Sequence, residues 1–307
     1  MILDYLKLLL VSFFVTVMTM PLMIKLAFKV RLLDVPTGDP LKIHAKPTPL
    51  LGGLGITLAI ITTLFVGAGA LNVSLQTVFG IITASIGLWL IGVYDDYTGL
   101  HPLTRLLGQM IVASVVVVVN SWVIPLFPFA IFNVVVTVVC LVTLVNALNL
   151  LDGMDGLATG TTLMATVGFM VGFGFVENRL GILLSLTLIG ACSGFLLYNL
   201  PPAKIFLGDN GSTVLGFLLG LCALLFCLSI ESKSGLVVPV LILIVPLADI
   251  TATVIRRLKK RTSILRGDRG HLYDQLLGLG LSERQTMALM CGFGTVGALL
   301  AMFIIAR

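Results

Sequence analysis

The sequence predicts an all-α polytopic membrane protein with about ten transmembrane helices, both termini outside and its polar site on the cytoplasmic face. The 307 residues are 58% hydrophobic and 11% charged, with a mean hydropathy of +1.13. A soluble domain of that composition has too little polar material for its surface. Apolar stretches of about 20 residues, the length that crosses a bilayer, recur along the whole chain.

The apolar stretches predict ten helices that are joined in several places by very short connections. Short connections such as 176–180 and 231–235 force consecutive helices to lie antiparallel. We expect one integral membrane domain over residues 1–307. The predicted spans are residues 3–28, 52–70, 75–93, 104–120, 129–148, 157–176, 180–198, 212–230, 236–255 and 286–306.

The distribution of basic residues predicts the orientation. Of the 19 Lys and Arg, only Lys7, Arg179, Lys233 and Arg307 fall on one side of these spans, and fifteen fall on the other. The positive-inside rule makes the second side cytoplasmic. We expect a multi-pass protein of the cytoplasmic (inner) membrane. All longer polar connections lie on that side, namely residues 29–51, 94–104, 149–156, 199–211 and 256–285.

Two Asp-Gly pairs follow the fifth span. The run Asn146-Ala-Leu-Asn149-Leu-Leu-Asp152-Gly-Met-Asp155-Gly places two carboxylates and two amides at the end of an apolar helix. Ionised groups beside hydrocarbon are expensive, so such groups usually have a function. An ordinary turn explains a single Asp-Gly pair, but two pairs after Asn-x-x-Asn favour a binding site.

Further carboxylates occur at two other helix ends. Adjacent Asp95 and Asp96 repel each other unless they share a cation or a proton, and Arg105 follows as a candidate phosphate ligand. Asp209 lies between glycines before a helix whose free N–H groups would suit a phosphate. The alternatives are an exposed acidic turn for Asp95-Asp96 and a plain capped helix start at Asp209.

The first and last cytoplasmic loops carry basic and histidine side chains. His44 and Lys46 lie in a proline-stiffened stretch that also fits an ordinary solvated loop. His271 fits a phosphate contact or a surface residue. The cluster 256–261 is typical of a topology signal beside anionic lipid. The five cysteines all lie in apolar runs without metal-ligand spacing, so we expect them to be packing residues.

Together these groups suggest a Mg²⁺-dependent phosphoryl-transfer site. Acidic side chains alone would repel an anionic substrate, and a divalent cation reverses that sign. The candidate ligands are all oxygens, which favours Mg²⁺ over zinc. Because the site lies at the membrane surface, one substrate is expected to be a lipid phosphate and the other water-soluble.

The same motifs resemble those of the polyprenyl-phosphate N-acetylhexosamine-1-phosphate transferases, a WecA/MraY-like family, over nearly the whole chain. The resemblance is carried by the order of the cytoplasmic loops and by four motifs. These are His44 with Pro47-Thr-Pro49 and Gly52-Gly53, Asp95-Asp96, the Asn146–Gly156 run, and Phe206-Leu-Gly-Asp209-Asn-Gly-Ser212.

The resemblance implies transfer of a N-acetylhexosamine-1-phosphate, as in the GlcNAc-type branch, from a UDP-sugar to undecaprenyl phosphate, with release of UMP. It implies a Mg²⁺ cofactor, for which Mn²⁺ can substitute, held by Asp209 with Asp95 and Asp96. Asp95 and Asp96 would be the catalytic carboxylates, and direct attack by the lipid phosphate is favoured over a covalent intermediate. The substrate-binding residues would be His44, Lys46, Arg105, Asn149, Asp152, Asp155, Asn199, Phe206 and His271.

One motif departs from the family pattern. Where the family commonly has His-x-His-His or three consecutive histidines, this chain has His271-Leu-Tyr273-Asp274. The difference argues against the muramyl-pentapeptide enzyme and leaves other UDP-HexNAc or 6-deoxy-HexNAc donors open.

Three further expectations concern partners and function class. No nucleic-acid partner is expected, and the sequence leaves a homodimer open. An ion-coupled carrier is the alternative from another class, but it would place its carboxylates near the membrane midplane and show an internal repeat. A scaffold or lipid-binding protein without chemistry would leave the clustered carboxylates unexplained.

Overall fold

Long apolar helices dominate the structure and confirm the predicted fold class. The computed structural model describes residues 2–36, 46–230, 234–265 and 267–306. Within these ranges nine helices are long and apolar enough to cross a membrane. The helices are α1 (Ile2–Val30), α2 (Gly52–Ala70), α3 (Leu75–Thr98), α4 (Pro102–Val119), α5 (Ala130–Leu151), α6 (Leu157–Phe175), α7 (Arg179–Asn199), α8 (Asp209–Ser229), α9 (Ser234–Ile242), α10 (Ile244–Lys259), α11 (Leu272–Gly278) and α12 (Glu283–Ile305).

The predicted span 236–255 is not one straight helix. It consists of α9 and α10, which meet at Leu243 with a bend of 80°. Pro246 explains the break, because a proline ring clashes with the carbonyl four residues earlier and donates no hydrogen bond. Leu243 N–H still donates to the carbonyl of Pro239 at 2.9 Å, so α9 is completed before the chain turns.

Two helix boundaries differ from the predicted loops in a way that affects the site. α3 continues to Thr98, so Asp95 and Asp96 lie in its last turns rather than in a connection. α8 begins at Asp209 itself. Within the predicted loop 256–285, a charged and helix-prone segment, the structure contains the short helix α11.

The centre of the bundle is α8, which is buried along nearly its whole length. It packs against α2, α3, α5, α6, α7 and α9. Small residues permit close helix approach in such a bundle. At Gly92 of α3 and Gly53 of α2, a Cβ atom would overlap the backbone of Asn210 and Gly211 in the first turn of α8. These two glycines therefore bring α2 and α3 directly against the start of α8.

A short extended segment leads into α2. Strand β1 (Leu33–Asp34) pairs antiparallel with β2 (Thr48–Pro49). Beyond β2 the chain pairs with the segment before α8: Phe206 N–H donates to Pro49 O at 2.8 Å, and Gly52 N–H donates to Phe206 O at 3.1 Å. The first and fourth polar stretches of the sequence are thus joined through their backbones.

Candidate active site

The start of α8 is held by a carboxylate from α3. The Asp96 oxygens accept hydrogen bonds from Asp209 N–H at 2.9 Å, from Asn210 N–H at 3.0 Å and from the Asn210 side-chain amide at 2.6 Å. The next two N–H groups, of Gly211 and Ser212, donate to Gly208 O. The predicted phosphate site at this helix start is therefore wrong, because its N–H groups are already occupied.

Arg105 bridges two other carboxylates. Its Nη1 lies 2.9 Å from Asp95 Oδ2 and 2.9 Å from Asp209 Oδ2. The second oxygen of Asp95 accepts the backbone N–H of Leu100 at 2.7 Å. Arg105 thus links α4 to the ends of α3 and α8, and its predicted contact with a substrate phosphate stays a prediction.

Asn149, in the last turn of α5, contacts the Asp209 carboxylate through the oxygen that Arg105 does not contact. Its side-chain amide donates to Asp209 Oδ1 and, at 3.0 Å, to Ser212 Oγ. The two oxygens of Asp209 are therefore directed by Asn149 and Arg105. Motifs that are 60 and 104 residues apart in the chain meet at this one side chain.

The turn after α5 is fixed by the segment before α8. Asp155 Oδ2 accepts the N–H of Ala203 at 2.8 Å. Asn199 Oδ1 accepts the N–H of Gly156 at 3.1 Å, and its amide donates to Ile205 O at 3.0 Å. These bonds place the turn beside Asp209 and give Asp155 and Asn199 a positioning role in addition to the predicted nucleotide contacts.

These groups enclose a cavity of about 630 Å³ at this end of the bundle. Among the residues that the structure describes, six carboxylates and one lysine belong to its wall. Eight of the predicted site residues line it, and Asp95 and Arg105 lie behind Asp209. The cavity is lined by Asp34, Lys46, Thr48, Leu50, Asp96, Asn149, Leu150, Asp152, Gly153, Met154, Asp155, Asn199, Pro202, Ala203, Phe206, Gly208, Asp209 and Glu283.

The concentration of negative charge affects Asp152, which follows the last residue of α5. Burial raises the pKa of Asp152 well above its usual value, and repulsion from Asp209, Asp96 and Asp155 raises it further. A cavity that resists ionisation of its own carboxylates is electrostatically suited to a bound cation.

The residues fit a hard divalent cation by their chemistry. The cavity offers carboxylate and amide oxygens, and among the described residues that line it there is neither histidine nor cysteine. Within the described ranges, no three Asp, Glu, His or Cys side chains form a ready-made ion site. Mg²⁺ is usually held by one or two carboxylates, waters and substrate phosphates, so a cage of three protein ligands is not required.

Comparison with known proteins agrees with this geometry. Residues 78–227 match the model of glycosyl transferase family 4. A Bacillus subtilis protein named "Probable undecaprenyl-phosphate N-acetylglucosaminyl 1-phosphate transferase" is 30% identical over 96% of this chain and 84% of its own length. The chain belongs to glycosyl transferase family 4. The matched segment spans the Asp95-Asp96 pair, the turn after α5 and Asp209, which are the groups that meet at the cavity.

Other proteins that are similar to this chain have different names. The decaprenyl-phosphate N-acetylglucosaminephosphotransferase of Mycolicibacterium smegmatis is 29% identical over 81% of this chain and 70% of its own length. A phospho-N-acetylmuramoyl-pentapeptide-transferase of Desulforudis audaxviator is 28% identical over 67% of this chain and 71% of its own length. This member of family 4 is a multi-pass membrane transferase.

Besides Asp95 and Arg105, two predicted site residues of this family 4 transferase are not among the residues that line the cavity. His271 is buried beside Asp249, outside the cavity lining. His44 lies outside the described residues. In the basic cluster, Arg256 and Arg257 turn inward to Asp268 with bonds of 2.7–3.1 Å, whereas Lys259, Lys260 and Arg261 are exposed. The prediction of a surface signal thus fits only the second half of the cluster.

Sequence reasoning missed three lining residues with polar or charged side chains. Asp34 and Thr48 reach the cavity because β1 pairs with β2, a contact that has no strong local signal in two-residue strands. Glu283 is the first residue of α12, where Ser282 and Gln285 form a capping box. That Ser-x-x-Gln pattern predicts a helix start in the last polar loop, but not its approach to the turn after α5.

Proposed function

We propose that the protein transfers N-acetylglucosamine-1-phosphate from UDP-N-acetylglucosamine to undecaprenyl phosphate. An oxygen of the lipid phosphate forms a bond to the β-phosphorus of the donor, and the bond between that phosphorus and the bridging oxygen breaks. The products are undecaprenyl-diphosphate N-acetylglucosamine and UMP. The observation that carries the proposal is the acidic cavity around Asp209, where the family 4 motifs converge at one end of an apolar bundle.

Asp209 is the proposed ligand of Mg²⁺ or Mn²⁺, with Asp96 at the adjacent cavity wall. A bound divalent cation would supply charge neutralisation for the donor diphosphate and for the leaving UMP. Asn149 and Arg105 hold the two oxygens of Asp209 in position, so the carboxylate is already oriented. Asp96 at the cavity wall and Asp95 behind it keep their proposed catalytic roles, which are to accept a proton from the lipid phosphate or to orient it.

The remaining lining residues would bind the donor. Asp152, Asp155, Asn199 and Phe206 surround the cavity and are proposed to contact the nucleotide, and Lys46 supplies positive charge at its wall. His44 stays a proposed substrate-binding residue, and His271 is proposed to hold phosphate charge. The relatives named for N-acetylglucosamine transfer support this donor, and the loop beginning at His271 is the segment proposed to distinguish it from other UDP-sugars.

The cavity is proposed to face the cytoplasm from the inner membrane. Fifteen of the 19 basic residues lie in the predicted loops on that side or at the adjoining ends of the predicted spans, and a water-soluble nucleotide sugar is available there. Both termini would then lie outside, with the α9–α10 pair counted as one broken span.

The direct test is UMP release by purified protein with undecaprenyl phosphate and a panel of UDP-sugars, with and without Mg²⁺. We expect UMP only when lipid and metal are both present, with UDP-N-acetylglucosamine as the best donor. Asp209→Asn should reduce release by at least about a hundredfold, since losing one charge-stabilising group commonly costs 10²–10³ in rate.

Asp268→Asn is the matched control, because this carboxylate pairs with Arg256 and Arg257 away from the cavity. It should retain activity. An active Asp209→Asn enzyme would contradict the metal assignment. Absence of UMP from every donor would contradict the transfer itself and would direct the work to ion-flux assays.

A further inference from the structure

Asp249 of α10 is a buried carboxylate that none of the motifs above includes. Its side chain has no exposed surface. Oδ1 accepts the N–H of Leu272 at 2.7 Å, and Oδ2 lies 2.8 Å from His271 Nδ1. Both partners come from the start of α11, so Asp249 attaches the last polar loop to α10 just beyond the bend.

The charged groups nearest this pair are themselves paired: Asp274, which accepts the backbone N–H of His271 at 3.1 Å, with Arg269, and Arg256 with Asp268. The Thr253 hydroxyl lies 3.2 Å from His271 Nδ1 and 3.5 Å from Arg256 Nη2, and Arg256 is itself held by Asp268. A buried carboxylate is costly unless it is hydrogen-bonded, and here both oxygens have donors. A neutral side chain could also accept the N–H of Leu272, so capping of α11 alone does not explain a buried carboxylate at this position.

The contact with Asp249 also affects the imidazole ring of His271. A hydrogen bond to one ring nitrogen determines where the proton of a neutral histidine lies. With Nδ1–H donating to Asp249, Nε2 is the nitrogen left for another partner. Asp249 therefore fixes both the orientation and the tautomer of His271.

A contact chain leads from His271 to the cavity. Its ring stacks on Tyr273, with centroids 5.5 Å apart and planes inclined by 6°. The Tyr273 hydroxyl lies against Gly153, where a Cβ atom would overlap it. Gly153 lines the cavity between Asp152 and Asp155. These contacts connect the His271 ring to the acidic turn through Tyr273.

We propose that Asp249 is a positioning residue for the transfer reaction. Through His271 and Tyr273 it sets the place of the Asp152–Asp155 turn against the bound UDP-sugar. The inference rests on the proposed function, because that turn is taken to contact the donor. Asp249 itself touches no substrate.

The test is Asp249→Asn, which keeps a carbonyl oxygen for Leu272 N–H but offers His271 an amide donor instead of an acceptor. We expect kcat/KM for the UDP-sugar to fall by about 10–100-fold, the usual effect of removing a group that orients a functional histidine. KM for undecaprenyl phosphate should stay unchanged. Tyr273→Phe, which keeps the stacked ring and removes only the hydroxyl at Gly153, should shift the same constant in the same direction.

A second readout does not depend on turnover. The chain has three histidines, so ¹⁵N-histidine labelling gives few ring signals, and His271→Gln identifies the one of interest. The wild type should show the Nδ1–H tautomer, and Asp249→Asn should show the Nε2–H tautomer. Asp268→Asn, in the same loop but without contact to His271, should change neither the tautomer nor the kinetic constants.

The outcomes separate the two proposals. If the wild-type protein releases no UMP, the proposed function fails, and the positioning role in transfer fails with it. If the wild type is active while Asp249→Asn has an unchanged kcat/KM, or an unchanged tautomer, only the inference about Asp249 is overturned. An equal kinetic loss in Asp268→Asn would also overturn it, by showing that general loosening of the loop is sufficient.

Discussion

The three aspartates around the start of α8 differ because their hydrogen-bond donors differ. Asp96 is surrounded by the N–H groups of Asp209 and Asn210, Asp95 by Leu100 N–H and Arg105, and Asp209 by Arg105 and Asn149. Of the three, only Asp96 and Asp209 reach the cavity wall. These chemically identical side chains therefore differ in their contacts: Asp96 holds the start of α8, Asp95 pairs with Arg105, and Asp209 faces the cavity.

The raised pKa of Asp152 indicates that its ionised form destabilises the folded protein. Replacing it by asparagine should therefore increase stability and reduce activity. Because its folded-state pKa lies above the usual value near 4, stability falls as pH rises from about 4 through the folded-state pKa. Asp152→Asn removes the repulsion between this carboxylate and its acidic neighbours. The substitution should raise the Tm of metal-free protein at neutral pH by about 2–4 °C for each kcal/mol of destabilisation that it removes. Thermal unfolding in detergent with EDTA measures this, and UMP release should fall in the same variant.

Asp268 supplies the control of opposite sign. Partial burial acts to raise its pKa, but hydrogen bonds from Arg257 and Arg256 outweigh burial and leave the pKa below its usual value. Its contribution to stability is therefore present above pH 4 and is lost as pH falls through the folded-state pKa. Asp268→Asn should lower Tm at neutral pH. Equal shifts in both variants would contradict the electrostatic explanation for Asp152.

At the scale of elements, sequence reasoning located the spans because hydropathy and length determine them, and it failed where tertiary contacts do. α3 continues past its apolar residues to Thr98 because Asp95 and Asp96 find donors on other helices. Pro246 was a local signal for the break between α9 and α10, but the apolar residues on both sides of it predicted a single span. The pairing of Asp249 with His271 had none, since 22 residues separate them.

The approach of α3 to α8 predicts a position-specific effect of a single methyl group. A Cβ at Gly92 would lie 2.5 Å from Asp209 O and 2.6 Å from Asn210 N, and backbone cannot move aside as a flexible side chain can. Gly92→Ala should therefore destabilise the protein by about 1–3 kcal/mol, the usual cost of overpacking, and reduce activity by displacing Asp209.

Gly80→Ala on the same helix is the matched control. The nearest atom to its Cβ would be Asn120 Nδ2 at 3.9 Å, an ordinary contact. Thermal unfolding and UMP release of the two variants should diverge sharply. If Gly92→Ala behaves like Gly80→Ala, the first turn of α8 is not held by this contact.

At the scale of the whole molecule, five polar stretches that are scattered along the chain meet at one end of the bundle. Their convergence was predictable in kind, since antiparallel spans return alternate connections to the same side. Their individual contacts were not predictable, because the resemblance could assign motifs to a site but not decide which side chain holds which. The result is an acidic cavity in a chain of net charge +5. Lys259, Lys260 and Arg261 are exposed, next to the two arginines that pair with Asp268.

This charge distribution predicts which face of the membrane the cavity occupies. Ser263, exposed in the loop before α11, should lie on the cytoplasmic side with the cavity, whereas Ser74, exposed between α2 and α3, should lie outside. In intact cells an impermeant thiol reagent should label Ser74→Cys, and it should label Ser263→Cys only after permeabilisation. The unmodified chain, whose five cysteines lie within helices, gives the background. Labelling of Ser263→Cys in intact cells would invert the topology and place the cavity away from cytoplasmic nucleotide sugars.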